Sequence, residues 1–166
     1  MLTEFDVKTL SFNPFERIGS DWCLITAGNK DSYNTMTASW GGVGILWGKE
    51  VVTCYIRPQR YTKEFVDSEE YFTLSFFPDD YKKALTLCGT VSGREHDKAA
   101  ETGLTPIFTD NTVSFEEANL VLVCRKLYAQ PMSEECFVDK EVLEKDYPKR
   151  DLHTVYVGEI VKAYRA

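Results

Sequence analysis

The chain has 166 residues, enough for one unit with a proper core and short for two. Its apolar fraction of 43% argues against disorder, and a formal net charge of -7 argues against nucleic-acid partners and anionic membrane surfaces. Neither end reads as a targeting signal, and no run approaches the roughly 20 apolar residues of a membrane helix, so a soluble, cytoplasmic protein is expected.

The first long strand expected is "WCLITA", residues 22–27, ending at the Gly28-Asn29 turn signal. Next comes "NTMTASWGG", residues 34–42, where Thr35, Thr37 and Ser39 alternate and a strand over "MTASW" leads into Gly41, Gly42, Gly44 and Gly48. "EVVTCYIRP", residues 50–58, is β-branched and stops at a proline. Residues 60–70 put Tyr61, Phe65 and Val66 on one helical face, and "YFTLSFF" (71–77) returns to strand character. Asp79 and Asp80 open a second helix that Gly89 closes, and "DKAAETG" (97–103) is a short third one. "TPIFTDN" (105–111) is a short strand; "ANLVLVCRKLYAQ" (118–130) and "HTVYVGEIVKAY" (153–164) are long ones. The charged segment 131–153 between them is a lid or an interface element. Strands outnumber helices and hairpin spacings dominate, so the fold class is mainly β with peripheral helices, a barrel or closed sheet in one domain spanning 1–166.

Five scattered cysteines without a C-x-x-C pair read as reduced thiols, and Cys136 beside Glu134 and Glu135 is a poor thiolate. His96 and His153 stand in no ligand spacing, so no metal site is expected.

Three clusters invite chemistry. The hydroxyls of "NTMTASWGG" are either solvent-facing strand residues or ligand partners, and the glycines after them let backbone N–H groups approach a ligand. The run lacks G-x-G-x-x-G spacing, which excludes a Rossmann reading. In "RPQRYT", Arg57 and Arg60 flank a strand end, and Thr62 is either a helix cap or part of an anion site. "SGREHDK" (92–98) is either an exposed loop with local ion pairs or a third cationic contact. No acid–base pair or nucleophile motif accompanies them, so the chemistry expected is that of a bound cofactor.

In this order, "NTMTASW", "RPQRYT", "SGREHDK" and the terminal "HTVYVGEI" resemble the flavin reductase-like family of FMN-binding split β-barrels, from about Phe15 to the end. The resemblance implies a homodimer with FMN near the subunit interface. It implies Met36, Thr37, Ala38, Ser39 and Trp40 along the flavin, with Arg60 and Thr62 at its phosphate. Arg57, Gln59 and Tyr61 would lie close by, and Ser92, Gly93, Arg94 and Lys98 would reach the cofactor from their loop. His153 matches a histidine that family members place on the nicotinamide side, and is the candidate catalytic residue. Many such reductases have a proline after the S-W segment, where this chain runs "GGVGILWGKEVV", which alters the pocket rim. Three readings follow. One is a reductase passing electrons from NADH or NADPH through FMN to free flavin, a ferric complex or another acceptor. The second is a flavoredoxin-like carrier serving protein partners, and the third a split barrel without flavin chemistry.

Overall fold

A computed structural model describes the chain from Met1 to Ala166. A two-residue strand β1 (Thr3–Glu4) and a single helical turn α1 (Pro14–Glu16) precede β2 (Cys23–Gly28) and β3 (Tyr33–Ala38). Then come β4 (Gly41–Leu46), β5 (Lys49–Ile56), α2 (Thr62–Ser68) and β6 (Tyr71–Phe76). Helices α3 (Lys82–Thr90) and α4 (Lys98–Thr102) are followed by the hairpin β7 (Pro106–Thr109) and β8 (Thr112–Phe115). The long strand β9 (Leu120–Pro131), α5 (Lys140–Asp146) and β10 (Thr154–Arg165) complete the chain. No helix is long and apolar enough to cross a membrane.

The main sheet is antiparallel in the order β3-β2-β6-β9-β10-β5-β4, with β1 added to β10. Its two terminal strands, β3 and β4, are consecutive in the chain and joined only through Ser39 and Trp40. The sheet therefore curls on itself and leaves a seam there. Side-chain alternation sorts the rest. Ile25, Met36, Val52, Phe72, Leu122 and Tyr156 point into one buried cluster inside the curl. Their sequence neighbours Leu24, Val121 and Val123 point outward, into a second cluster with Leu85 and Cys88 of α3, Ala99 of α4 and Phe115 of β8. A residue shift in register would invert both faces, so the pairing is strongly specified. β10 carries two irregularities in its pairing with β9, at Val157/Gly158 and at Ile160/Lys162. A side-chain carbon at Gly158 would sit 2.6 Å from the Phe72 ring, so only glycine permits this approach.

The structure corrects one local expectation and adds detail to two others. The glycine-rich stretch after Trp40 is the strand β4, not a ligand-cradling loop; it pairs with β5 through a turn at Trp47 and Gly48, both with positive φ (54° and 70°). The single strand expected over 105–111 is half of the β7–β8 hairpin, turning at Asp110 and Asn111 (φ 53° and 59°). The segment 131–153 holds a true helix, α5, capped by Asp139, whose carboxylate accepts from the Glu141 N–H, and anchored by buried Leu143.

Candidate functional site

The cleft lies on the seam. The β3 end supplies Met36, Thr37 and Ala38, the connection supplies Ser39 and Trp40, and the β5 end supplies Tyr55, Arg57, Gln59 and Arg60. Gly89 and His153 complete a lining around about 400 Å³, within the roughly 300–1,000 Å³ usual for ligand pockets. A larger recess of about 620 Å³ lies at the N-terminus, but its charged side chains are Asp110 and Glu116, with no lysine or arginine.

Arg60 is half-buried, and burial lowers its pKa. Its guanidinium donates to the Gly89 carbonyl at 3.0 Å and the Thr37 carbonyl at 3.3 Å, and it makes no ion pair. Lys98 is 5% exposed, and its ammonium donates to the carbonyls of Thr35 (2.7 Å) and Cys88 (2.8 Å), again with no carboxylate. Burial first, and the Arg60 charge second, bring the Lys98 ammonium down to about 8. Two neighbouring cations withdrawn from water without a counter-ion are costly in an acidic chain, and an anion in the cleft beside Arg60 would offset part of that cost.

Arg57 is different. It pairs with Asp151 at 2.8 Å, donates to the Asp146 carbonyl at 3.0 Å and lies 4.9 Å over the Tyr147 ring. Gln59 also donates to Asp151, at 2.8 Å. These contacts clamp the end of α5 to the cleft rim. Behind them His153, 6% exposed, places Nδ1 2.6 Å from the Tyr147 hydroxyl, with its ring 5.3 Å from that of Trp40. Burial, then the Arg57 charge, drives the imidazole down to about 4, so the ring is neutral near pH 7.

Met36, Thr37, Ala38, Ser39, Trp40, Arg57, Gln59, Arg60 and His153 thus line one cleft. Tyr61, Thr62, Ser92, Gly93, Arg94 and Lys98 lie outside the lining. Thr62 is fully buried and caps nothing; its hydroxyl accepts from the Asn34 amide at 2.8 Å. Arg94 is taken up by an ion pair with Glu64, stacks 4.5 Å over the Tyr61 ring and donates to the Gln59 carbonyl at 3.4 Å, so its charge is held against α2 and the turn that leads to it. Ser92 accepts from the Arg94 N–H at 3.2 Å, and a side-chain carbon at Gly93 would fall 1.9 Å from the Asn34 amide oxygen. Lys98 sits behind β3 on the Thr35 and Cys88 carbonyls and not at the surface of the cleft. The strand hydroxyls are also spoken for. Thr35 pairs with Thr26 at 2.8 Å, and Thr37 donates to the Leu85 carbonyl, which leaves Ser39 as the hydroxyl of the row without a protein partner.

Two lining residues escaped the sequence reading. Tyr55 sits two positions before Arg57 on β5, so strand alternation could have found it. Gly89 contributes through its carbonyl, and no side-chain pattern announces that.

Fold and site together define a curled antiparallel barrel with an anion-attracting cleft where its sheet ends meet. Residues 15–166 match the family model described as the flavin reductase like domain, and the chain belongs to that family. The fold is the split β-barrel. It is shared with flavoredoxin of Desulfovibrio vulgaris (Miyazaki F), at 21% identity and TM-score 0.68, covering 87% of this chain and 69% of that one. The FMN-binding domain of a flavin reductases-like enzyme from Shewanella baltica OS155 is similar at 12% identity and TM-score 0.70, covering 99% and 77%. Nitrilotriacetate monooxygenase component B from Bacillus cereus is similar at 16% identity and TM-score 0.68, covering 95% and 82%. No curated protein matches the chain.

Proposed function

We propose that the chain binds FMN in the seam cleft as one domain over residues 1–166, and serves as an oxidoreductase fed by NADH or NADPH. The observation that carries this reading is the pair Arg60 and Lys98, cations without counter-ions beside a cleft of flavin size. The FMN phosphate would take the Arg60 guanidinium, while Lys98 and the other cations add to the field. Met36 through Trp40 would run beside the ring system, with the Ser39 hydroxyl free to hydrogen-bond it. Bound FMN supplies reversible hydride and electron transfer. The chain's own part is to hold, orient and shield; the neutral His153, beside Trp40, would orient the electron donor by a hydrogen bond and not by proton donation.

A homodimer is part of this proposal. The β4 strand is a sheet edge; Ile45 and Leu46 are exposed on it and Trp47 in the turn after it, with exposed Tyr128 packed against Trp47 at 6.2 Å between centroids. An exposed apolar edge of this kind favours pairing with another chain. The same strip, at the far end of β4 from Trp40, favours a second reading, a flavoredoxin-like carrier that docks a protein electron acceptor there.

The test is the visible spectrum of the purified protein, followed by anaerobic addition of NADH or NADPH. A bound yellow chromophore that bleaches supports the reductase. Reduction by dithionite but by neither nicotinamide supports the carrier. A protein that binds none of FMN, FAD or riboflavin defeats both.

A further inference from the structure

We propose that Tyr147 is a positioning residue that holds His153 as the neutral tautomer with its proton on Nε2, presenting an N–H donor to the ligand in the cleft. The proposal rests on the reading of the cleft as a flavin site with His153 on its donor side. The geometry begins with the two ring nitrogens, which stand in different surroundings. Nδ1 is 2.6 Å from the Tyr147 hydroxyl. Nε2 has no hydrogen-bond partner in the protein, and it is absent from the buried unpaired atoms, so it opens to the cleft that His153 lines.

Two arrangements satisfy the short contact. In one, the phenol donates to a bare Nδ1, which leaves the proton on Nε2. In the other, Nδ1–H donates to the phenol oxygen, and the phenol must then turn its own proton to the Met132 sulfur, 3.7 Å away. The imidazole nitrogen is a strong acceptor and the phenol a good donor, whereas a thioether is a weak acceptor. The first arrangement therefore wins. Burial also raises the Tyr147 pKa, so its hydroxyl keeps the proton it must donate.

The tyrosine is itself fixed on several sides. It is 4% exposed, it packs edge-on to Phe137 at 5.6 Å, and the Arg57 guanidinium lies over its ring. Tyr147 directly follows α5, and Asp146 and Asp151 on either side of it hold Arg57. The charged segment 131–153 thus has a definite task. It brings a hydroxyl to the rear of His153 and so decides which nitrogen faces the ligand. This is the second-side hydrogen bond that sets a histidine's tautomer.

The experiment records long-range proton–nitrogen correlations of the imidazole in nitrogen-15-labelled protein at pH 7.5, with His96→Gln removing the only other histidine. Wild-type His153 should show a single neutral form, bare at Nδ1 and protonated at Nε2. Tyr147→Phe keeps the ring stacking and removes only the hydroxyl; the Nδ1–H form should then appear alongside. In FMN-loaded protein the same variant should raise the KM for nicotinamide about 2- to 10-fold, the worth of one neutral hydrogen bond, with FMN affinity unchanged. A wild-type ring protonated at Nδ1 overturns the proposal, as does a Tyr147→Phe ring identical to wild type or a variant with unaltered KM. A wild-type flavin that neither nicotinamide reduces defeats the reductase reading instead, and the ring spectra then decide the tyrosine's role alone.

Discussion

Arg60→Ala removes the cation that the cleft presents without a counter-ion. If its guanidinium meets the FMN phosphate, the loss is one charge-assisted hydrogen bond, about 1.5–3 kcal/mol, or roughly 10- to 150-fold in Kd. Riboflavin carries the same ring without the phosphate and should lose little. The structure adds a second consequence. Gly89 and Thr37 each lose the donor to a carbonyl, at 3.0 and 3.3 Å. Orphaned carbonyls cost about 1–3 kcal/mol when dry; at the edge of an open cleft water replaces the donor, so a cost near the lower figure is expected. The assay is a pair of titrations, FMN and riboflavin, followed by quenching of flavin fluorescence at low and high salt, with thermal melts of the empty protein alongside. Selective loss for FMN, shrinking as salt rises, is the expected result. Equal losses for the two ligands would show that Arg60 only braces the α3 and β3 carbonyls, and the anion reading of the cleft would fall.

Further outcomes follow from other residues. Lys98→Met should weaken FMN but not riboflavin, and wild-type FMN affinity should decline as pH rises through about 8, where Lys98 loses its charge; the variant should be flat over that range. His153 titrates near 4 when folded and near 6.5 when unfolded, so the unfolded chain binds its proton first as pH falls. Its contribution is fully present above pH 6.5 and is lost between there and about 4, on the order of 2 kcal/mol by pH 5, read as the difference between wild type and His153→Gln in urea unfolding. Gly93→Ala should lower the melting temperature by forcing the Asn34 amide off Thr62, at a cost of about 1–3 kcal/mol. Trp47→Arg should shift a dimer toward monomer in sedimentation; an unchanged assembly would move the interface elsewhere.

The strands that were legible in the sequence are those whose side chains alternate between two buried clusters or run apolar throughout, as in β2, β6 and β9. β4 was not legible, because Gly41, Gly42 and Gly44 carry no side chains to show a period; it is a strand because β5 templates it. α5 was missed because only Leu143 and Tyr147 of its surroundings are buried, too few to mark a face among so many charges. In the site, "MTASW" and the arginine cluster could be read because each is local. The buried hydrogen bond of Thr62 was not legible because its partner, Asn34, is 28 residues away, and Tyr147 was invisible because its importance lies in its contact with His153, just ahead of β10.

The seam between β3 and β4 has an evolutionary consequence. Every other neighbouring pair in the barrel is tied by a ladder, whereas these two ends are tied by a covalent link of Ser39 and Trp40 alone. Residues there answer to no register, so exchanging them leaves the pairing of the remaining strands intact. Trp40, 49% exposed, and the strand after it are therefore places where a lineage could change what the rim contacts without rebuilding its scaffold. The rim would drift quickly, while the cations anchored on β3 and α3 carbonyls behind it would stay.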